Sequence, residues 1–221
     1  MSSLGSELAE LIPLALVITL SPLTIIPGIL MLHTPTPRPT SLAFLVGWVV
    51  GIGGLTAGFV LVSNALGGLN KQPTWAPYVR IAIGAALIVF GLYRWFTRHR
   101  SAHTPGWMKS MTSIGPGRAF GTALVLIVIN PKVLFMCAAA GLAIGSAGLG
   151  ATGAWTADAV FTAVAASSVA LPVLAYLVAG EKLDEPLTRL KNWMEAQHAT
   201  LVAAILVVIG LMVLYKGIHG L

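Results

Sequence analysis

A proline, an amide and a full positive charge stand together at Asn130-Pro131-Lys132, inside the apolar run 119–144, where hydrocarbon-compatible residues are expected. No other stretch constrains the fold so strongly. A proline inside a helix removes one backbone hydrogen bond and clashes with the carbonyl four residues back, so the helix kinks or breaks unless neighbours satisfy the freed groups. Lys132 lies about fourteen residues into its run, roughly 20 Å deep at ~1.5 Å per residue and near the middle of a ~30 Å hydrocarbon layer. An ionisable residue at that depth is a functional-site hypothesis. The competing reading is that Lys132 snorkels and Asn130 glues two helices together.

The setting of that triplet is fixed by composition. Of 221 residues 57% are hydrophobic and 9% charged, with a mean hydropathy of +0.88; soluble domains carry about 25% charged residues. The chain is therefore expected to be an integral membrane protein, and six stretches of about 20 apolar residues fit. With Cys137 as the single cysteine, an intramolecular disulfide and a C-x-x-C redox pair are excluded. The net charge of +6 is placed in short loops between hydrophobic spans, which points to membrane topology and not to nucleic acid. The first apolar segment begins after Glu7 and Glu10 without a basic n-region, and it reads as a retained helix.

Along the chain, the first helix is expected over 8–32, interrupted at Ser21-Pro22 and again at Pro27-Gly28. Pro35, Pro37 and Pro39 then make a polar turn carrying Arg38, and a second helix is expected over 40–63. Its Gly47, Gly51, Gly54 and Gly58 include two G-x-x-x-G spacings, a face that another helix can approach closely. A third helix is expected over 77–96, ending in the interfacial aromatics Tyr93, Trp95 and Phe96. The loop 97–118 holds Arg98, Arg100, Lys109 and Arg118 with no carboxylate, so it either contacts anionic head groups or retains positive charge in the cytoplasm. His99 and His103 have i,i+4 spacing but no companion ligand, and no metal site is assigned.

Helix four, 119–145, carries the opening triplet; helix five, 155–179, carries Asp158 near its start, Ser167-Ser168 and Pro172; helix six spans 200–216. Between the last two, Leu187, Leu190, Trp193 and Met194 fall on one face, so 183–197 reads as an amphipathic helix at the membrane surface. Lys and Arg on alternate sides number nine against three, which puts the basic loop in the cytoplasm and both termini outside.

The two halves resemble each other. Aligning Ser21-Pro22 with Asn130-Pro131 sets Leu16-Val17-Ile18 against Val125-Leu126-Ile127, and Gly91-Leu92 pairs more weakly with Gly210-Leu211. Three helices per half is an odd number, so the second half is expected to be inverted relative to the first. The expected fold is all-α: six transmembrane helices as two inverted three-helix repeats, 1–96 and 119–221, joined by the basic loop 97–118, with proline-broken helices one and four. Inverted repeats with broken helices at matching positions point to a transporter site near the midplane. The expected lining is Thr19, Ser21, Thr24, Asn130 and Lys132, with Pro22, Pro27 and Pro131 opening the backbone.

Ser21-Pro22 with Pro27, then Leu32-His-Thr-Pro-Thr-Pro-Arg38 and Ala43-Phe-Leu-Val-Gly-Trp48, resembles the lipid-addressing family of the lysine-exporter superfamily. Asn130-Pro131-Lys132 followed by Ala138-Ala-Ala-Gly141 is similar to its second signature. The resemblance implies six helices in two inverted repeats and a role in moving large glycolipids to the actinobacterial cell envelope, often alongside a larger lipid transporter. Ser21 stands where the second repeat has Asn130, so the half-sites would not be chemically equivalent.

These readings converge on a transporter or transport accessory for an amphipathic, anionic lipid in a bacterial plasma membrane. Lys132 would attract a sulfate, phosphate or carboxylate, with Asn130 and Ser21 hydrogen-bonding polar groups. Lys132 and Asp158 are the candidate coupling groups, and Lys132 could instead carry protons. A rival is export of cationic amino acids or metal ions, which calls for intramembrane carboxylates and finds only Asp158. A second rival is a non-transporting scaffold for an envelope-lipid machine. An enzyme is not expected, because no Walker A loop, H-E-x-x-H, nucleophile elbow or C-x-x-C occurs; no catalytic residue and no cofactor are assigned. Expected partners are membrane lipids, a larger lipid transporter and a second copy of the chain.

Overall fold

The structure is a computed structural model that describes residues 4–65, 113–197 and isolated positions within 85–93 and 200–218. The expected helices over 77–96 and 200–216 and most of the basic loop, with Arg98, Arg100 and Lys109, lie outside the described residues. The chain divides into two compact units, Met1–Asn70 with Pro105–Lys191 and Lys71–Thr104 with Asn192–Leu221. Both helix breaks and both long described helices belong to the first unit.

The described residues are all-helical. Helix α1 (Leu4–Thr19) and α2 (Pro22–Leu32) form a broken pair bent by 55°. Helix α3 (Pro37–Ala65) runs unbroken for 29 residues. The pattern then repeats: α4 (Pro116–Ile129) and α5 (Pro131–Ser146) are bent by 76° at their junction, and α6 (Gly150–Ala179) runs unbroken for 30. A 3-10 turn, Gly180–Leu183, leads into α7 (Asp184–Ala196). By length and hydropathy α3 and α6 each suffice to cross a membrane, and each bent pair suffices as one further span.

Unlike a soluble protein, this unit is apolar on its outside as well as inside. Outward positions are apolar: Val46, Val50 and Leu61 on α3, Val128 and Ile129 on α4, Phe135 on α5, and Leu171 and Val178 on α6. The buried set includes Thr40, Ser41, Thr56, Ser63, Asp158, Thr162 and Ser168. In hydrocarbon, apolar side chains gain nothing by turning inward, so close packing and interhelical hydrogen bonds must hold the helices together. Hydrogen bonds between helices run from Thr19 Oγ1 of α1 to Val164 O of α6 and from Ser63 Oγ of α3 to Leu142 O of α5.

Close packing is visible at the glycines of α3 and α5. A Cβ on Gly47 would lie 2.7 Å from Phe120 O of α4, and one on Gly141 would lie 2.5 Å from Thr56 O of α3. Gly51 faces Ile127 and Leu124 of α4, and Gly145 faces Ser63 of α3. Thus α3 is gripped on one side by α4 and on another by α5. The expected G-x-x-x-G face is only half used, since nothing among the described residues lies within 4 Å of a Cβ built on Gly54 or Gly58.

Exchanging the halves maps one set of packed pairs onto another. Helix α3 packs on α4 and α5, while α6 packs on α1 and α2; α3 and α6 also pack on each other. Each half's long helix therefore rests on the other half's broken pair.

Several expected boundaries move. Pro27 lies inside α2 and does not break it, and Pro13 and Pro172 are likewise accommodated within α1 and α6. Pro37 and Pro39 belong to the first turn of α3, where a missing N–H has no intrahelical partner to lose, so the helix starts earlier than expected. The link before the long second-half helix shrinks to three residues, and Gly148 and Gly150 adopt positive φ of 68° and 69° there. On α7, Leu187 is buried while Leu190 and Trp193 are exposed; the side chain of Met194 is not among those described. His33, at the C-cap of α2, fastens α7 down: its ring reaches Ile29 O at 3.0 Å and Thr188 Oγ1 at 3.1 Å.

Candidate functional site

Both expected breaks occur at the expected residues, and their backbones match. Ser21 has φ −79° and ψ 124°, and Asn130 has φ −80° and ψ 101°. Each is an extended residue followed by a proline at the first helical position. Steric clash with the proline ring keeps the preceding residue out of the α region, so the sequence alone forces the ladder open at these points.

The freed groups are satisfied differently in the two halves. At the first break Ser21 makes no side-chain cap; instead the buried Thr24 hydroxyl lies 2.6 Å from Ser21 O and 2.9 Å from Ile18 O and donates back across the gap. At the second, Asn130 Oδ1 accepts from the Lys132 N–H at 3.2 Å, an ordinary N-cap bond. The amide NH2 of Asn130 keeps two donors. Replacing Thr24 by Val preserves shape but deletes the shared hydroxyl, while the backbone N–H bonds to both carbonyls persist. We expect a loss of about 1 kcal/mol in thermal unfolding of the detergent-solubilised protein, with Thr24→Ser near wild type.

Each break lies against the midpoint of the other half's long helix. Thr19, two residues before Ser21, donates its hydroxyl to Val164 O at 2.7 Å, and Val164 is at the centre of α6. Val164 O also accepts from Ser167 Oγ at 2.7 Å. Ile127, three residues before Asn130, packs against Gly51, the central residue of α3. If α3 and α6 cross a bilayer, both breaks fall near its midplane.

The other predicted residues differ in burial. Ser21, Thr24 and Pro27 are buried, Asn130 and Lys132 are half-buried, and Pro131 is exposed; the side chain of Pro22 is not among those described. Among the described residues the Lys132 ammonium has no ion-pair partner, the ion pair being Arg189 with Glu185 on the surface of α7. Sequence reasoning assigns Thr19 and Thr24 to a polar lining, whereas both hydroxyls are turned onto backbone carbonyls. It misses Val164, whose role is that of a carbonyl and leaves no side-chain signal.

These features define a membrane protein whose described residues are all-helical and hold two continuous candidate spans and two that are broken beside a proline. A family model described as Sap, sulfolipid-1-addressing protein, matches residues 11–219. The chain belongs to that family. Comparison with curated proteins gives no match, and comparison with solved structures gives none either.

Proposed function

We propose that the protein moves, or helps to move, an anionic amphipathic lipid across the bacterial plasma membrane towards the envelope, through a midplane site between the two helix breaks. One observation carries this reading: both breaks, at Ser21-Pro22 and Asn130-Pro131, lie beside the midpoint of the opposite half's long helix. Opened backbone at membrane depth belongs where it is buried in protein or lines a polar cavity. The family's description names a sulfolipid, whose anionic head group is the kind of group the Lys132 ammonium attracts.

In this reading the exchange symmetry of the packing belongs to two inverted three-helix repeats, completed by the segments 77–96 and 200–216, as in the lysine-exporter superfamily. Lys132 supplies the charge, the Asn130 amide supplies donors, and Ser21 lines the opposite half-site. Arg98, Arg100 and Lys109 hold lipid head groups at the cytoplasmic side, and a larger lipid transporter or a second copy of the chain receives the cargo. Rocking of one half against the other exposes the site alternately.

The test is native mass spectrometry of the protein released gently from its own membranes, followed by lipid extraction. Wild type and Lys132→Arg are expected to retain an anionic lipid, and Lys132→Ala is expected to lose it. Equal retention by all three, or none by any, would remove the lipid site and favour a scaffold.

A further inference from the structure

A second polar cluster lies away from the breaks, where α3, α5 and α6 meet. Asp158, the ninth residue of α6, is 7% exposed. Its Oδ1 accepts from Thr162 Oγ1, one turn on, at 3.4 Å, which is long for a bond between oxygens. Cys137 of α5 lies close enough for the Asp158 charge to act on its thiol, and the Thr56 hydroxyl of α3 lies beside that thiol. Thr56 Oγ1 is fully buried and finds no hydrogen bond of good geometry. Gly53 of α3 lies next to Thr162, since a Cβ there would stand in ordinary contact at 3.4 Å from Thr162 Oγ1.

No basic side chain among the described residues forms an ion pair with Asp158. On the elements packed against α6 the titratable and charged groups are Glu7 and Glu10 of α1, His33 at the end of α2, Arg38 of α3, Lys132 and Cys137 of α5, and Glu181 and Lys182 of the 3-10 turn. Of these, Cys137 is the one that lies within reach of the Asp158 charge. A bare carboxylate buried with a single long hydroxyl contact costs several kcal/mol. Sulfur is a poor ligand for a hard cation, which prefers about six oxygens. A proton meets the need with fewer groups: it neutralises the carboxyl and turns it into a donor beside the Thr162 hydroxyl, which is able to accept.

We propose that Thr56, Cys137, Asp158 and Thr162 form a proton-binding site in which Asp158 takes up and releases one proton. Release breaks the carboxyl O–H bond, leaves the electron pair on the carboxylate and hands the proton to water admitted as α3 and α6 part. As a coupling site for lipid movement this rests on the function proposed above; the proton binding does not.

The chain has two aspartates, Asp158 and Asp184, so Asp184→Asn leaves Asp158 as the sole one. The protein, labelled with carbon-13 at the aspartate carboxyls and held in lipid vesicles, is followed by infrared spectroscopy as pH is varied. We expect a label-sensitive carbonyl band of a neutral acid at mildly acidic pH in wild type and Asp184→Asn. It should be lost reversibly at high pH, absent from Asp158→Asn, and shifted in titration midpoint by Thr162→Val. Absence of that band from Asp184→Asn, a band that never titrates while the protein stays folded, or its removal by sodium at fixed pH would each overturn the proposal. Should Asp158→Asn not fold, Asp184→Asn still decides. Lipid retention in Lys132→Ala is read separately, so either idea can fail alone.

Discussion

Gly141→Val is expected to leave almost no folded protein after detergent extraction, while Gly54→Ala and Gly58→Ala leave as much as wild type. A Cβ at Gly141 would stand 2.5 Å from both Thr56 O and Phe59 Cβ and 3.1 Å from Val60 N, and two of those three atoms are backbone. Backbone does not rotate away as a side chain does. Nor can α3 retreat, because α4 closes on its other side at Gly47 and Gly51. Overpacking costs about 1–3 kcal/mol for added methylenes in a core that relaxes; here Gly141→Ala belongs at the upper end and Val beyond it. At Gly54 and Gly58 an added methyl meets nothing within 4 Å among the described residues, and alanine's helix propensity makes the change neutral or better. Recovery of monodisperse protein by size exclusion, with thermal unfolding of whatever is recovered, checks the set. A Gly141→Val protein as stable as wild type would mean that α3 and α5 do not pack as described, and a harmful Gly54→Ala that this face of α3 is covered by another part of the chain.

The contrast among these glycines shows what sequence discloses. Spacing of i,i+4 says that a helix can be approached closely, not which neighbour arrives; it singles out Gly47 and Gly51, which α4 approaches, no more than Gly54 and Gly58, which no described residue does, while Gly141 and Gly145, with the same spacing, are where α5 meets α3. The breaks are legible to the residue because their cause is local: a proline and the steric restriction on the residue before it. Other prolines mislead for the complementary reason. Pro37 and Pro39 fall in a first turn, and Pro27 sits in a helix held by its neighbours, including Val169 of α6 against Gly28. Of the candidate site, Asn130 as a cap and Lys132 as a half-buried charge are readable from residue type. The Asp158 cluster is readable in part, since Thr162 comes at i,i+4, but Thr56 and Cys137 join it only through the tertiary packing of α3 and α5.

Trp48 provides the other large effect, and one whose two substitutions should differ sharply. Its side chain is fully buried on α3 and stacked on Phe44 one turn earlier, with centroids 5.8 Å apart and planes 15° from parallel. Trp48→Ala empties the largest fully buried side chain, and a loss of about 3–5 kcal/mol is expected because the surrounding helices collapse only in part. The indole Nε1, however, is buried with no hydrogen-bond partner among the described residues. An unpaired donor already carries a desolvation cost of about 1–3 kcal/mol, so deleting it sacrifices no bond. Trp48→Phe therefore keeps the stacking on Phe44, relieves that cost and leaves a smaller void than alanine would, for a net loss below about 1.5 kcal/mol. Thermal unfolding of the two variants in one detergent gives the comparison directly. Equal losses would mean that the indole N–H donates to a bound water or lipid carbonyl, and Trp48 would then line a polar path inside the bundle rather than fill its core.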